Sequence, residues 1–312
     1  MRVATYNVRY FGHGLKGLAS TATSKTRIAQ AIAALQPLPE MVALQEVEHQ
    51  SFRAGVAHRR GHPSENQLVA FHARGLVMPY RAWYFPAHVY GVGKFKLYTT
   101  GLAILVNAQK LHAINGVGAK PHHITHVVNE RLRKVKQTRI AAHLHLEDLQ
   151  GRKFHLFNTH LSLPTFWARE FWSQPEKMGF GANQLAEAKA LAEYARATAA
   201  GEPYLVVGDF NTAPGTPVYR QLTHDAGLVG AQERLKQIDV KDPRSFSTAG
   251  FMHLRMHLDH VFGEGVDFTE LNDTRSFSDL HNVFGGLSDH VPIIAGFEPH
   301  ASGARASRSK SS

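Results

Sequence analysis

The chain of 312 residues carries 35 Lys and Arg against 25 Asp and Glu, a formal charge of +10 with a pI of about 9.8, and 43% of it is hydrophobic. That apolar share, with 18 Phe, 9 Tyr and 3 Trp, excludes a disordered chain, and the basic balance favours anionic partners. Having no cysteine excludes a disulfide framework, a zinc ribbon and thiol catalysis.

In chain order, Val3–Val8 reads as a strand and Lys25–Leu35 as a helix, with Ile28, Ala31, Ile32 and Leu35 on one face. Met41–Leu44 is a buried strand, and Ser64 caps a helix over Ser64–Val77. Short β-branched or aromatic runs at Trp83–Phe85, Gly101–Val106, Thr138–Leu146 and Phe154–Asn158 predict further strands. Asn183–Ala199 spaces Leu185, Ala188, Leu191, Ala192 and Ala195 as a helix and stops at Gly201. Tyr204–Val207 is a strand, Pro217–Leu222 a short helix, and His257–Phe262 and Val291–Phe297 are the last strands. No stretch nears the ~20 apolar residues that span a bilayer. Met1 is not followed by a basic segment and an apolar run, so the expectation is a cytoplasmic protein.

Strand after strand ends in a polar signature: Tyr6-Asn7, Gln45-Glu46, Asn158-Thr159-His160, Gly208-Asp209-Phe210-Asn211, Leu258-Asp259-His260 and Ser288-Asp289-His290. Each alone is an ordinary turn or cap, but six of them put polar groups at one rim of a sheet, on a rigid frame. The ordered set resembles the endonuclease/exonuclease/phosphatase superfamily over residues 1–298. That superfamily includes AP endonucleases, pancreatic-type deoxyribonucleases, bacterial sphingomyelinases and inositol-polyphosphate 5-phosphatases. The resemblance implies a four-layered α/β sandwich, two packed, mostly antiparallel sheets flanked by helices, with the site at one end.

Cleaving a phosphoester requires a hard cation to neutralise the phosphoryl group and a water attacking in line. Glu46 offers an oxygen ligand, and with Asn7 and Asp289 it suits Mg²⁺, with Mn²⁺ as a substitute. The resemblance implies that Asp209 lies beside the attacking water and that Asn211 donates to the phosphate or the water. It implies that His290 contacts the phosphate or acts as base, held by Asp259, and that His160 approaches from the other side as a donor or as the leaving-group acid. AP endonucleases carry Asn where this chain has His160, which moves it toward the deoxyribonuclease, sphingomyelinase and phosphatase branches. Two departures stand out. Val8-Arg9 follows Asn7 where AP endonucleases have a polar residue and a glycine, leaving Arg9 as a phosphate contact. No Tyr-x-Glu precedes Gly101, so His160 has no assigned carboxylate partner.

The expected activity is a metal-dependent, nuclease-like phosphodiesterase acting as a monomer, with nucleic acid the favoured partner. The alternatives are a lipid phosphodiesterase or inositol-type phosphatase at a membrane and, more remotely, a non-catalytic polyanion-binding module. The basic stretch Lys120–Arg139 binds a phosphate backbone or is merely solvated. Phe166, Trp167, Phe171 and Trp172 stack on bases, dip into lipid or pack locally. His143/His145 and His253/His257 fit no recognised zinc pattern and are assigned as non-ligands. Gly91-Val92-Gly93-Lys94 is assigned to a loop, residues 1–298 to one catalytic domain, and residues 299–312 to a disordered basic tail.

Overall fold

A computed structural model describes residues 1–11, 22–47, 79–92, 95–126, 138–164, 178–241, 246–251, 254–271, 277, 279, 281 and 283–301. The expected helix at Ser64–Val77, the aromatics Phe166 to Trp172, His253, most of the basic stretch and nearly all of the tail lie outside the described residues.

Two mixed sheets form the centre. The first has six strands in the order β14-β15-β1-β2-β4-β3: β1 is Arg2–Asn7, β2 Met41–Val47, β3 Tyr80–Val92, β4 Phe95–Asn107, β14 Val266–Leu271 and β15 Ile293–Pro299. The second joins β10 (Val229–Gly230), β13 (Asp259–Glu264), β9 (Tyr204–Asp209), β8 (Lys153–His160), β7 (Ile140–Asp148) and β5 (Leu111–Ala113), with β6 (His122–His123) also paired to β7. A separate two-stranded ribbon pairs β11 (Ala249–Phe251) with β12 (Leu254–Met256).

Alternation along the strands builds the layers. Val3, Met41, Ala43 and Ile104 of the first sheet meet Ala142, Leu144, Leu156, Leu205 and Val207 of the second in a buried core between the sheets. The opposite faces bury against helices. Helix α1 (Ala22–Ala33) lays Ile28, Ala29 and Ile32 on Ala4, Tyr6 and Leu44. Helix α2 (Ala182–Ala199) lays Ala188, Leu191 and Ala195 on Phe157 and Val206. The order helix, sheet, sheet, helix is the four-layered α/β sandwich that the sequence resemblance implies.

Several expectations shift at this level. Trp83–Phe85 and Gly101–Val106 are parts of two longer, paired strands, and Gly91-Val92 belongs to β3 rather than to a loop. Leu185 points outward at 37% exposure, while Gln184 and Glu187 are buried. The buried face of α2 is thus partly polar, and an apolar-stripe reading passes over it. The helix at Pro217 is one α-turn, α3 (Pro217–Arg220), running into a π-turn over Gln221–Asp225.

Parallel pairing sets the position of the site. β1 pairs in parallel with β2 and β8 with β9, whereas β15 and β13 run antiparallel beside them. The C-terminal ends of β1, β2, β8 and β9 therefore reach the same rim at which β13 and β15 begin. Asp259 opens β13, opposite Asp209 in register, and His290 precedes β15. The expectation that every signature follows a strand is corrected for these two, which stand at strand starts.

Candidate active site at the sheet rim

The two sheets are tied together just below the rim by amides. Gln45 Nε2 donates to Asn158 Oδ1 at 2.7 Å and to Thr5 Oγ1 at 3.0 Å, and Asn158 Nδ2 donates to the Leu44 and Ala103 carbonyls. All three side chains are fully buried, so Gln45 and Asn158 are spent on joining the sheets. Glu46 is aimed differently. A register shift between Leu44 and Val47 and a left-handed backbone at Glu46, φ 55°, turn its carboxylate into the rim.

Asn7 bridges the acids. Its Nδ2 donates to Asp209 Oδ2 at 2.9 Å and to Glu46 Oε1 at 3.2 Å, while its Oδ1 accepts from the Arg9 backbone N–H. Asp209 also accepts from the Asn211 N–H at 2.9 Å, and its Oδ2 lies 3.5 Å from His160 Nε2 and 3.7 Å from His290 Nε2. His290 Nδ1 meets Asp259 Oδ2 at 2.8 Å, and that same oxygen accepts from Thr248 Oγ1 at 2.7 Å. The Asp259 Oδ1 is buried without a hydrogen bond. Asn211, with φ 49°, is pinned by its Nδ2 on the Leu161 carbonyl and by Gln184 Nε2 on its own carbonyl. Glu187 accepts from the N–H and hydroxyl of Ser162. The buried polar face of α2 therefore holds the loops after β8 and β9.

Charge states follow from burial and neighbours. Burial pushes Asp209 up to about 7, with Asp259 adding and His290, Asn7 and the Asn211 N–H opposing. Burial and then Asp289 raise Glu46. Burial would lower His290, but Asp259 and Asp209 outweigh it and hold the ring well above the usual histidine range. His160 is pushed well below that range by burial, then by Arg139 and His290.

The rim thus gathers Asn7, Glu46, His160, Asp209, Asn211, Asp259, Asp289 and His290. Asp289 pairs with Arg9 at 2.6 Å, so the Arg9 guanidinium is committed to this acid. Ser288 Oγ donates to the Asn7 carbonyl at 2.7 Å, locking the last tripeptide onto β1. Sequence reasoning missed two residues. Thr248 supports Asp259, and no local pattern marks it. Arg139 was grouped with a basic run; it shares a small hollow with His160, is 7% exposed, and leaves Nε without a hydrogen bond. Among the described residues it pairs with no carboxylate. A larger cavity of about 550 Å³ borders Leu258 but contains none of the eight rim residues.

Glu46 and Asp289 supply hard oxygen donors whose mutual repulsion a cation relieves, so these residues fit a divalent metal that prefers oxygen. A four-layered sandwich with carboxylates and histidines converging at one rim defines a phosphoester hydrolase. The chain belongs to the Endonuclease/Exonuclease/phosphatase family, whose sequence model matches residues 4–290. Compared with curated protein sequences, it matches none. Among solved structures it is similar to the human Nocturnin catalytic domain with bound sulfate anion, at TM-score 0.62 and 20% identity, covering 96% of this chain and 93% of that one. It is similar to the Bacteroides thetaiotaomicron mannosyl-6-phosphatase, at TM-score 0.62 and 16% identity, covering 96% and 99%. ANGEL2, a 2',3'-cyclic phosphatase, gives TM-score 0.62 and 14% identity, covering 95% and 94%.

Proposed function

We propose that the protein is a Mg²⁺- or Mn²⁺-dependent phosphodiesterase acting on nucleic acid or a related polyanion. The observation that carries the reading is the convergence of His160, His290 and Asn7 on one oxygen of Asp209, with Asp259 behind His290. Glu46 and Asp289 would hold the metal, with Asn7 positioning Glu46 against Asp209. When bound, the ion would supply charge neutralisation at the phosphoryl oxygens and acidity to the attacking water.

Asp209 takes the proton of the attacking water, because burial leaves it a stronger base than an exposed carboxylate. His290, kept protonated by Asp259 and Asp209, donates from Nε2 to a non-bridging phosphoryl oxygen. Asn211 Nδ2 is already on the Leu161 carbonyl, so its other contribution is the backbone N–H that orients Asp209. His160 is neutral and serves as a hydrogen-bond donor, not as the leaving-group acid. Arg139 lies beside it with a guanidinium that pairs with no carboxylate among the described residues and is suited to a phosphate.

The +10 charge supports a nucleic acid. A phosphomonoesterase is the second reading, favoured by the similar structure described as a mannosyl-6-phosphatase. A panel of plasmid DNA, RNA, sphingomyelin, sugar phosphates and bis-p-nitrophenyl phosphate, with Mg²⁺, Mn²⁺ or EDTA, separates the readings. Metal-dependent diester cleavage that falls about a hundredfold or more in Asp209→Ala supports the proposal. Turnover of monoesters alone, or an unaffected variant, rejects it.

A further inference from the structure

About 16 Å down β8 from His160, at ~3.3 Å per residue, a second polar cluster lies on the helix-facing side of the second sheet. His145 of β7 and His155 of β8 are directly opposite in register, with their rings stacked at 4.2 Å and parallel within 2°. Glu202, from the turn between α2 and β9, places Oε2 at 2.8 Å from His145 Nε2 and 3.0 Å from His155 Nε2. Close as it is, the His145 contact lies outside hydrogen-bonding alignment, and that ring nitrogen has no hydrogen bond. The three donor atoms lie within 4.8 Å of one another.

The support around the cluster resembles the outer layer of a metal site. His155 Nδ1 is bonded to His143 Nε2 at 2.8 Å, which fixes the ring and directs Nε2 toward Glu202. His143 is stacked on Phe157 at 4.6 Å. Asn115 Oδ1 accepts from the His145 N–H at 2.8 Å. Glu202 is fixed at its backbone by its N–H on the Ala199 carbonyl, and the His155 N–H bonds the next carbonyl, Pro203, at 2.9 Å. Side-chain exposures of 22%, 6% and 31% for His145, His155 and Glu202 leave one side open to water.

We propose that His145, His155 and Glu202 form a transition-metal site, distinct from the rim, that takes Zn²⁺ with water completing its shell. Two imidazoles and one carboxylate suit Zn²⁺ and disfavour Mg²⁺, which keeps to oxygen. A tetrahedral ion with bonds of about 2.0–2.1 Å separates its donors by about 3.3 Å. The two N···O separations therefore lengthen by a few tenths of an ångström, and His145, whose Nε2 makes no hydrogen bond, is the ring that turns. The assignment of His143 and His145 as non-ligands is thereby revised. His145 becomes a ligand and His143 the residue that orients His155. The ion would join β7, β8 and the α2–β9 turn.

Equilibrium dialysis of the full chain against Zn²⁺ in millimolar Mg²⁺ tests the site, because Mg²⁺ competes at the oxygen-rich rim and not for imidazole. The expectation is one tightly held Zn²⁺ in the native protein and in Glu46→Gln, lost in His145→Gln and in Glu202→Gln. His143→Phe, which keeps the ring stack, weakens binding about ten- to a hundredfold. Zn²⁺ raises the native thermal midpoint and leaves that of His145→Gln unchanged; circular dichroism shows that the partly exposed His145→Gln folds. Two results overturn the proposal by showing a hydrogen-bonded histidine ladder only. One is no Zn²⁺ retained in Mg²⁺ by the native protein; the other is equal retention in the native protein and His145→Gln.

Discussion

His290 carries its proton because two buried carboxylates, Asp259 and Asp209, outweigh the cost of burying a cation. Replacing Asp259 by Asn removes the main attraction and lowers the His290 pKa. If the protonated ring binds the phosphoryl oxygen, the alkaline limb of the kcat/KM profile moves to lower pH, and the rate falls about a hundredfold or more. An unmoved alkaline limb in Asp259→Asn would show that His290 does not act as a cation. Arg139 allows an opposite test. Arg139 is 7% exposed, its Nε has no hydrogen bond, and among the described residues no carboxylate pairs with it, which costs stability. Arg139→Met is expected to raise unfolding stability by about 1 kcal/mol or more, while raising KM for the phosphoester. A loss of stability in denaturant titration, with KM unchanged, would exclude a binding role for Arg139.

At the scale of elements, Gly208 makes the parallel contact of β8 and β9 possible. It has φ 146°, and a Cβ placed there would lie 2.1 Å from the Thr159 carbonyl oxygen, one residue before both His160 and Asp209. Gly208→Ala is expected to lower unfolding free energy by about 3 kcal/mol or more, and an unchanged chemical-denaturation midpoint would contradict that. The strands carrying Asn7, His160 and Asp209 are legible in the sequence because buried apolar runs end abruptly in polar residues. The bulge at Glu46, the polar face of α2 and the support of Asp259 by Thr248 are not legible. Each depends on a partner 11 or more residues away: Thr248 lies 11 from Asp259, Gln184 bonds a carbonyl 27 away, and Glu187 reaches 25 residues back. Periodicity reports which side of an element is apolar, and a buried Gln or Glu reads as solvent-facing until its partner is in place. The edge strands β5, β6 and β10 were missed for a related reason. With three, two and two residues, they are too short to show alternation and form only because longer strands offer them a free edge.

Across the whole molecule, His143, His257 and His260 lie buried inside the sandwich, and acid reaches them only by opening it. Burial lowers His257 from 6.5 to about 4 and His143 from 6.5 to about 3, and it lowers His260 as well. His257 shows why. Its Nδ1 meets the Phe246 carbonyl, so its Nε2 is the acceptor of the Gln232 amide N–H, and a second proton would set two donors against each other. Because these folded-state values lie below the unfolded value of 6.5, the unfolded chain binds more protons between pH 6.5 and about 4. The stability that these three rings contribute is therefore full above pH 6.5 and is lost as the pH falls through that window. For His257 alone the shift corresponds to about 3 kcal/mol. Each proton gained on unfolding also adds to a chain already at +10, and self-repulsion acts in the same direction. Asp209, Glu46 and His290, all raised in the fold, act in the opposite sense, so the test is a comparison of two proteins. In urea titrations from pH 7.5 to 4.5, acid should cost the native protein more unfolding free energy than it costs His257→Gln, whose side chain carries no titrating proton, and the same pH dependence in both would mean that His257 accepts a proton inside the fold.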